Sequence, residues 1–143
     1  MTRIYLDSSA LVKRIFDEAE SLALRDALTG AQDRGSHLVT SALARVEAGR
    51  VARTRIDAEL PRVIGMAATE VMDGVAVASL TRAIMESARI IGPPVLLTLD
   101  AIHLATAVAL TVDEIWTYDT RMAIAAEELG IPVRMPGRDS MEA

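Results

Sequence analysis

RIYLDSSALVK, residues 3–13, is the stretch whose reading decides the fold. Ile4, Tyr5 and Leu6 form a short apolar run that ends abruptly at Asp7. Beyond it, Leu11, Val12, Ile15 and Phe16 recur at i, i+1, i+4 and i+5, the spacing of one helix face. A strand therefore hands over to a helix at an acid. The pattern returns twice. VLLTL (95–99) leads into Asp100, and the IWTY of EIWTYD (114–119) leads into Asp119. EIWTYD is the clearest strand, whereas periodicity leaves VLLTL open between a buried strand and an extended lead-in to a helix.

Working outward, a second helix is predicted over 19–31, ending near Gly30 or Gly35. HLVT (37–40) is another short apolar run, with Ser41 placed to cap a helix from Ala42 to about Thr54. Helices follow at 58–72 and about 80–91, with a strand, DGVAVA (73–78), between them. Gly92, Pro93 and Pro94 punctuate the chain before a helix at 100–111 that is almost entirely apolar, hence central. A helix over 120–129 stops at Gly130, IPVRM supplies a last strand, and 136–143 reads as a loose tail. Strands and helices alternate throughout. The expectation is one domain, 1–143, folded as an α/β three-layer sandwich around a mainly parallel sheet.

Composition narrows the chemistry. Aromatics are only 3%, so the core must be built from aliphatic residues, Ala and Met. The chain has no Cys, which removes disulfides, thiolate metal sites and thiol nucleophiles. With His37 and His103 the only histidines, a metal would be held mainly by oxygen, which favours magnesium or manganese. No apolar run reaches the ~20 residues of a membrane span, and the start of the chain lacks a signal-peptide pattern. A soluble, cytoplasmic protein is expected. The net charge of −5 argues against a nucleic-acid partner, yet Arg45, Arg50, Arg53, Arg55 and Arg62 face only Glu47, Asp57 and Glu59 in the same stretch. That stretch is a candidate phosphate-binding patch or an ordinary solvated face.

In an open parallel sheet, ligands bind beyond the carboxyl ends of the strands. Asp7, Asp100 and Asp119 would share a cleft there if their strands are neighbours. Taken singly, each is better explained as a helix N-cap. Glu47 stands within a helix, with Leu43 and Val51 at i−4 and i+4. It either edges a cleft or pairs with Arg50 at i+3. Four carboxylates in one site would repel each other unless a divalent cation intervened. Such an ion leaves coordination positions for a substrate phosphate and activates water.

The segments LDSSALVK (6–13), SALARVE (41–47), LDAIHLATA (99–107) and TYDTRM (117–122) resemble, in order and spacing, the successive motifs of PIN-domain ribonucleases. The likeness is greatest to the VapC-type toxins of toxin–antitoxin pairs. It implies that Asp7, Glu47, Asp100 and Asp119 are the catalytic, metal-binding quartet, with Glu47 orienting a water or serving a second ion. It also implies that Ser8 and Thr117 support the site by hydrogen bonding. The family's reaction is magnesium-dependent endonucleolytic hydrolysis of RNA, with manganese able to substitute. Its members usually form homodimers and are inhibited by a small VapB-like antitoxin.

Other residues carry blander readings. His103, three residues after Asp100, is expected to be structural rather than a general base, and Trp116 to be core rather than a base-stacking platform. Met66, Met72 and Met85 read as core or interface filler. Arg45, Arg50 and Arg53 are candidates for contact with RNA or antitoxin. A phosphotransfer enzyme with Asp7 as nucleophile would need a lysine late in the chain, and the only lysine is Lys13. An inactive PIN-like interaction module would be expected to lack at least one of the four acids.

Overall fold

The computed structural model describes residues 1–55 and 60–138. In chain order, β1 (Arg3–Leu6) leads into α1 (Ser8–Leu11) and a 3-10 turn (Val12–Arg14). Then come α2 (Ser21–Asp33), β2 (His37–Ser41), α3 (Ala42–Arg55), α4 (Pro61–Glu70) and β3 (Val75–Ala78). The chain continues with α5 (Arg82–Ala88), α6 (Thr98–Ala109), β4 (Glu114–Trp116), α7 (Thr120–Glu128) and β5 (Val133–Arg134).

The five strands form one sheet in the order β3-β2-β1-β4-β5, and every pairing is parallel. Tyr5 lies opposite Val39 on one side and Ile115 on the other. Side chains alternate across this sheet, as strand geometry requires. Ile4, Leu6, Leu38 and Trp116 enter one core with residues of α1, α2 and α3. Tyr5, Val39 and Ile115 enter a second core with Leu104 and Ala107 of α6 and Met122, Ala125 and Ala126 of α7. Two cores on opposite faces of one parallel sheet make the α/β sandwich. Trp116 is fully buried, in the core as expected.

The strand order also locates a crevice. From central β1 the chain runs outward through β2 to β3, then returns to place β4 on the other side of β1. That reversal between β1 and β4 is a topological switch point, where open α/β sheets leave room for ligands. Asp7 follows β1, and Asp119 lies just past β4.

One open choice is decided and two expectations are corrected. VLLTL, a strand or an extended lead-in by its pattern, is no strand: Pro93 to Leu96 form a turn, Leu97 is the extended N-cap of α6, and Val95 is 81% exposed. Successive prolines prevent regular ladder bonding there. Asp100 therefore sits in the first turn of α6, not at a strand end. EIWTYD leaves the ladder after Trp116, because Ser9 Oγ and Thr117 Oγ1 accept from the backbone N–H groups of Tyr118 (2.9 Å) and Asp119 (3.0 Å). The supposed tail begins as packed chain. Pro136 is buried and accepts from the Tyr118 hydroxyl at 2.6 Å, and Arg138 Nε donates to Glu20 at 2.7 Å. The rest of that tail, 139–143, and the expected start of the fourth helix at 58–59 lie outside the described residues.

Candidate active site

Asp7 is the most enclosed of the four acids, at 3% exposure. Its Oδ1 caps α1, accepting from the Ala10 backbone N–H at 3.2 Å and from Ser9 Oγ at 2.6 Å. Its Oδ2 accepts from the Thr117 hydroxyl. Burial pushes this carboxyl above the ordinary aspartate range, while His103, Ser9, Thr117 and the Ala10 N–H pull it back down. Ser9, not Ser8, makes the hydrogen bond. The side chain at the second helical position turns back over the cap, whereas Ser8 makes no side-chain hydrogen bond among the described residues.

Asp119 caps α7, accepting from the N–H groups of Arg121 (2.8 Å) and Met122 (3.2 Å) through one oxygen. The capping reading is thus correct for Asp7 and Asp119. It does not exhaust either carboxylate, since one oxygen of Asp119 is left uncommitted among the described residues.

Asp100 is partly buried, and no side chain or backbone donor reaches it among the described residues. Its pKa is pushed up to about 6, first by burial and then by the charges of Asp119 and Asp7, with Glu47 adding to them. His103 opposes the rise. Asp100 thus feels the charges of the other three acids, although the four come from separate segments.

Glu47 on α3 pairs with His103 rather than with Arg50: His103 Nε2 lies 2.6 Å from Glu47 Oε1. The other ring nitrogen, Nδ1, lies 2.6 Å from the Tyr5 hydroxyl. A carboxylate only accepts, so Nε2 carries a proton toward Glu47, while Nδ1 meets the Tyr5 hydroxyl. Burial raises the Tyr5 pKa and keeps its hydroxyl protonated for that bond.

Does this donor set suit a divalent cation? Among the described residues no lysine or arginine pairs with Asp7, Asp100, Asp119 or Glu47, so the cluster lacks its neutralising charge. Its donors are carboxylate oxygens, which suit a hard ion. In donor type alone the set suits such an ion; among the described residues no group of three or more such side chains is gathered closely enough to hold one.

Residues 4–128 match the model of the PIN domain family. The chain belongs to this PIN-domain family. Over 139 residues the PIN domain is 44% identical to Ribonuclease VapC46 of Mycobacterium tuberculosis, covering 95% of this chain and 99% of that relative. Its fold is shared with the crystal structure of Mycobacterium tuberculosis VapC20, a toxin that cleaves the sarcin–ricin loop. The TM-score is 0.69 at 16% identity, with 85% of this chain and 94% of that one covered. VapBC2 of Rickettsia felis, solved on a DNA fragment of its own promoter, gives a TM-score of 0.64 at 9% identity, over 93% of this chain and 98% of that one.

Around the acids of this PIN domain, the remaining predicted residues fall apart. Arg45, Arg50 and Arg53 are exposed on α3, with Arg45 reaching Thr69 Oγ1 at 3.3 Å. Arg55 turns away to Glu18, at 2.5 Å. Lys13, which a phosphotransfer enzyme would need free, is buried between Glu18 (2.5 Å) and Glu20 (2.9 Å) and lies over the Tyr118 ring. Sequence reasoning missed Ser9 and the Tyr5 contact. A signal existed for Tyr5. A phenol in a buried strand and an imidazole in an apolar helix each need a polar partner, and they are natural partners for one another.

Proposed function

We propose that this PIN domain is a divalent-metal-dependent endoribonuclease, the toxin of a toxin–antitoxin pair. One observation carries the reading. Asp100, beside the β1/β4 switch point, is raised by the charges of Asp119, Asp7 and Glu47, and among the described residues no lysine or arginine pairs with any of the four. The family supports the class of reaction, since relatives of this chain are named ribonucleases. An inactive module is not favoured, because all four acids are in place.

Asp7, Asp100, Asp119 and Glu47 would hold the ion, magnesium or manganese. When bound, it supplies positive charge to the phosphoryl oxygens and makes water more acidic. The chain does the positioning. Ser9, Thr117 and the Ala10 N–H fix the Asp7 carboxylate. The first turn of α7 fixes one oxygen of Asp119, and His103 holds one oxygen of Glu47. Asp100 has no such restraint among the described residues. Water then displaces the leaving ribose oxygen at phosphorus, with no covalent enzyme intermediate.

The exposed Arg45, Arg50 and Arg53 suit RNA phosphates or the acidic side chains of an antitoxin. A small VapB-like antitoxin is part of the proposal, in keeping with the VapBC2 assembly that shares the fold; a homodimer and a cytoplasmic location complete it. No helix among the described residues is long and apolar enough to cross a membrane. The test is RNA incubated with the purified chain, with and without magnesium. Magnesium-dependent cleavage lost in Asp100→Asn protein is expected. Cutting that ignores a chelator or survives that substitution would remove the reading.

A further inference from the structure

Three of the four acids stand on elements joined by one buried chain of polar atoms. Tyr5 lies on β1, two residues before Asp7. His103 lies on α6, one turn after Asp100. Glu47 lies on α3. The two contacts, Tyr5 Oη to His103 Nδ1 and His103 Nε2 to Glu47 Oε1, are each 2.6 Å. The members are 98 and 56 residues apart in sequence, so nothing local imposes the arrangement.

We propose that Tyr5 and His103 are positioning residues that hold the Glu47 carboxylate in the acidic cluster and tie β1 and α6 to it. The inference rests on the ribonuclease reading above. Tyr5 is fully buried and His103 is 1% exposed, so neither meets bulk solvent. Glu47 is only partly buried and projects from a helix whose exposed flank carries Arg45 and Arg50. Without His103 its long side chain would be free to swing to those arginines, removing an oxygen ligand from the cluster and neutralising it. The tie works because both imidazole nitrogens are used. Nε2 donates to Glu47 and Nδ1 is engaged by the Tyr5 hydroxyl, so the ring is held at both ends. One Glu47 oxygen is thereby occupied, and the other has no partner among the described residues.

The test is a double-mutant cycle read in two ways: cleavage of RNA in magnesium, and calorimetric titration with manganese alone, without RNA. Outer-sphere partners of metal ligands typically contribute 10–100-fold to affinity or activity. His103→Ala is expected to lower kcat by about that factor with KM little changed, and to weaken manganese binding. Tyr5→Phe, which keeps the ring and its packing, is expected to lower both by roughly 3–10-fold, within the range for such partners. Adding His103→Ala to Glu47→Gln is expected to cause no further loss, since the histidine would act through that glutamate. His103→Asn, which retains a polar side chain, covers the case in which the alanine variant fails to fold. Additive losses in the cycle, or a folded His103 variant with unchanged kcat and manganese affinity, overturn the tie. If the wild-type chain neither cuts RNA nor binds manganese, the ribonuclease reading fails and the tie falls with it. A wild type that binds or cuts beside indifferent Tyr5 and His103 variants overturns the tie alone.

Discussion

Asp7 and Asp100 enter the same cluster by opposite routes. Asp7 closes the central strand, is sealed from solvent, and is held by two hydroxyls and a backbone N–H. Asp100 rides the first turn of a helix, is only partly buried, and accepts nothing among the described residues. Both carboxyls are raised above their ordinary range. For Asp7 the surrounding donors offset part of the burial. For Asp100 only the charge of His103 opposes it. One acid is built into the scaffold by its hydrogen bonds, and the other is held by none among the described residues.

The contrast can be broken first at the level of activity, where the two should look alike. Asp7→Asn and Asp100→Asn are each expected to reduce magnesium-dependent RNA cleavage by at least about 100-fold, since losing a metal ligand removes several kcal/mol of charge stabilisation. Initial rates on a fluorogenic RNA would check this. A variant within tenfold of wild type would remove that acid from the reaction.

Ligand binding should separate the apo and loaded states. Magnesium at about 100 times its dissociation constant is expected to stabilise the fold by roughly 2.7 kcal/mol. Thermal melts across a magnesium series would read the effect, which should vanish in Asp100→Asn protein.

Stability without metal sharpens the comparison, because here the two acids should diverge. Asp7→Ala orphans the Ser9 and Thr117 hydroxyls and the α1 cap, and is expected to destabilise by about 2 kcal/mol. Asp100→Asn, in chelator at pH 7.5, is expected to stabilise by about 1 kcal/mol, a value reduced for partial exposure. The sign follows from linkage. A carboxyl raised from 3.8 to about 6 on folding penalises the folded state when ionised. The penalty is complete above pH 6 and fades as pH falls from 6 toward 3.8, so the gap between variant and wild type should close over that window. Urea melts at several pH values would show it, and a gap independent of pH would sink the assignment.

The smallest expected effect distinguishes neighbours. Ser9→Ala should cost about 1 kcal/mol in the same melts, and Ser8→Ala within about 0.5 kcal/mol of nothing. Equal losses would contradict the geometry at the cap.

The legible part of this molecule is what repeats locally. RIYLD announced a strand handing over to a helix because apolar runs and capping are properties of adjacent residues. The apolar helix that became α6 was visible for the same reason, and so was the run of acids after hydrophobic segments. VLLTL misled only in part: its composition suits a strand, but the neighbouring prolines remove ladder donors, and the five strands already form a sheet without it. Ser8 and Ser9 were indistinguishable in sequence, since which hydroxyl turns back over Asp7 depends on helix geometry rather than residue type. The role of His103 was hidden because its partners lie far off along the chain.

The sequence by itself determined the alternation of elements, the absence of thiolate donors and the positions of four candidate acids, since each depends on residue type and short spacing. Only the tertiary structure decided that β4 lies beside β1, that Asp100 joins the cluster from a helix, and that Tyr5 reaches Glu47 through His103. Periodicity encodes which side of an element is buried, but it says nothing about which distant element will be buried against it. That choice is made by strand order, where contacts between residues about a hundred positions apart are settled together.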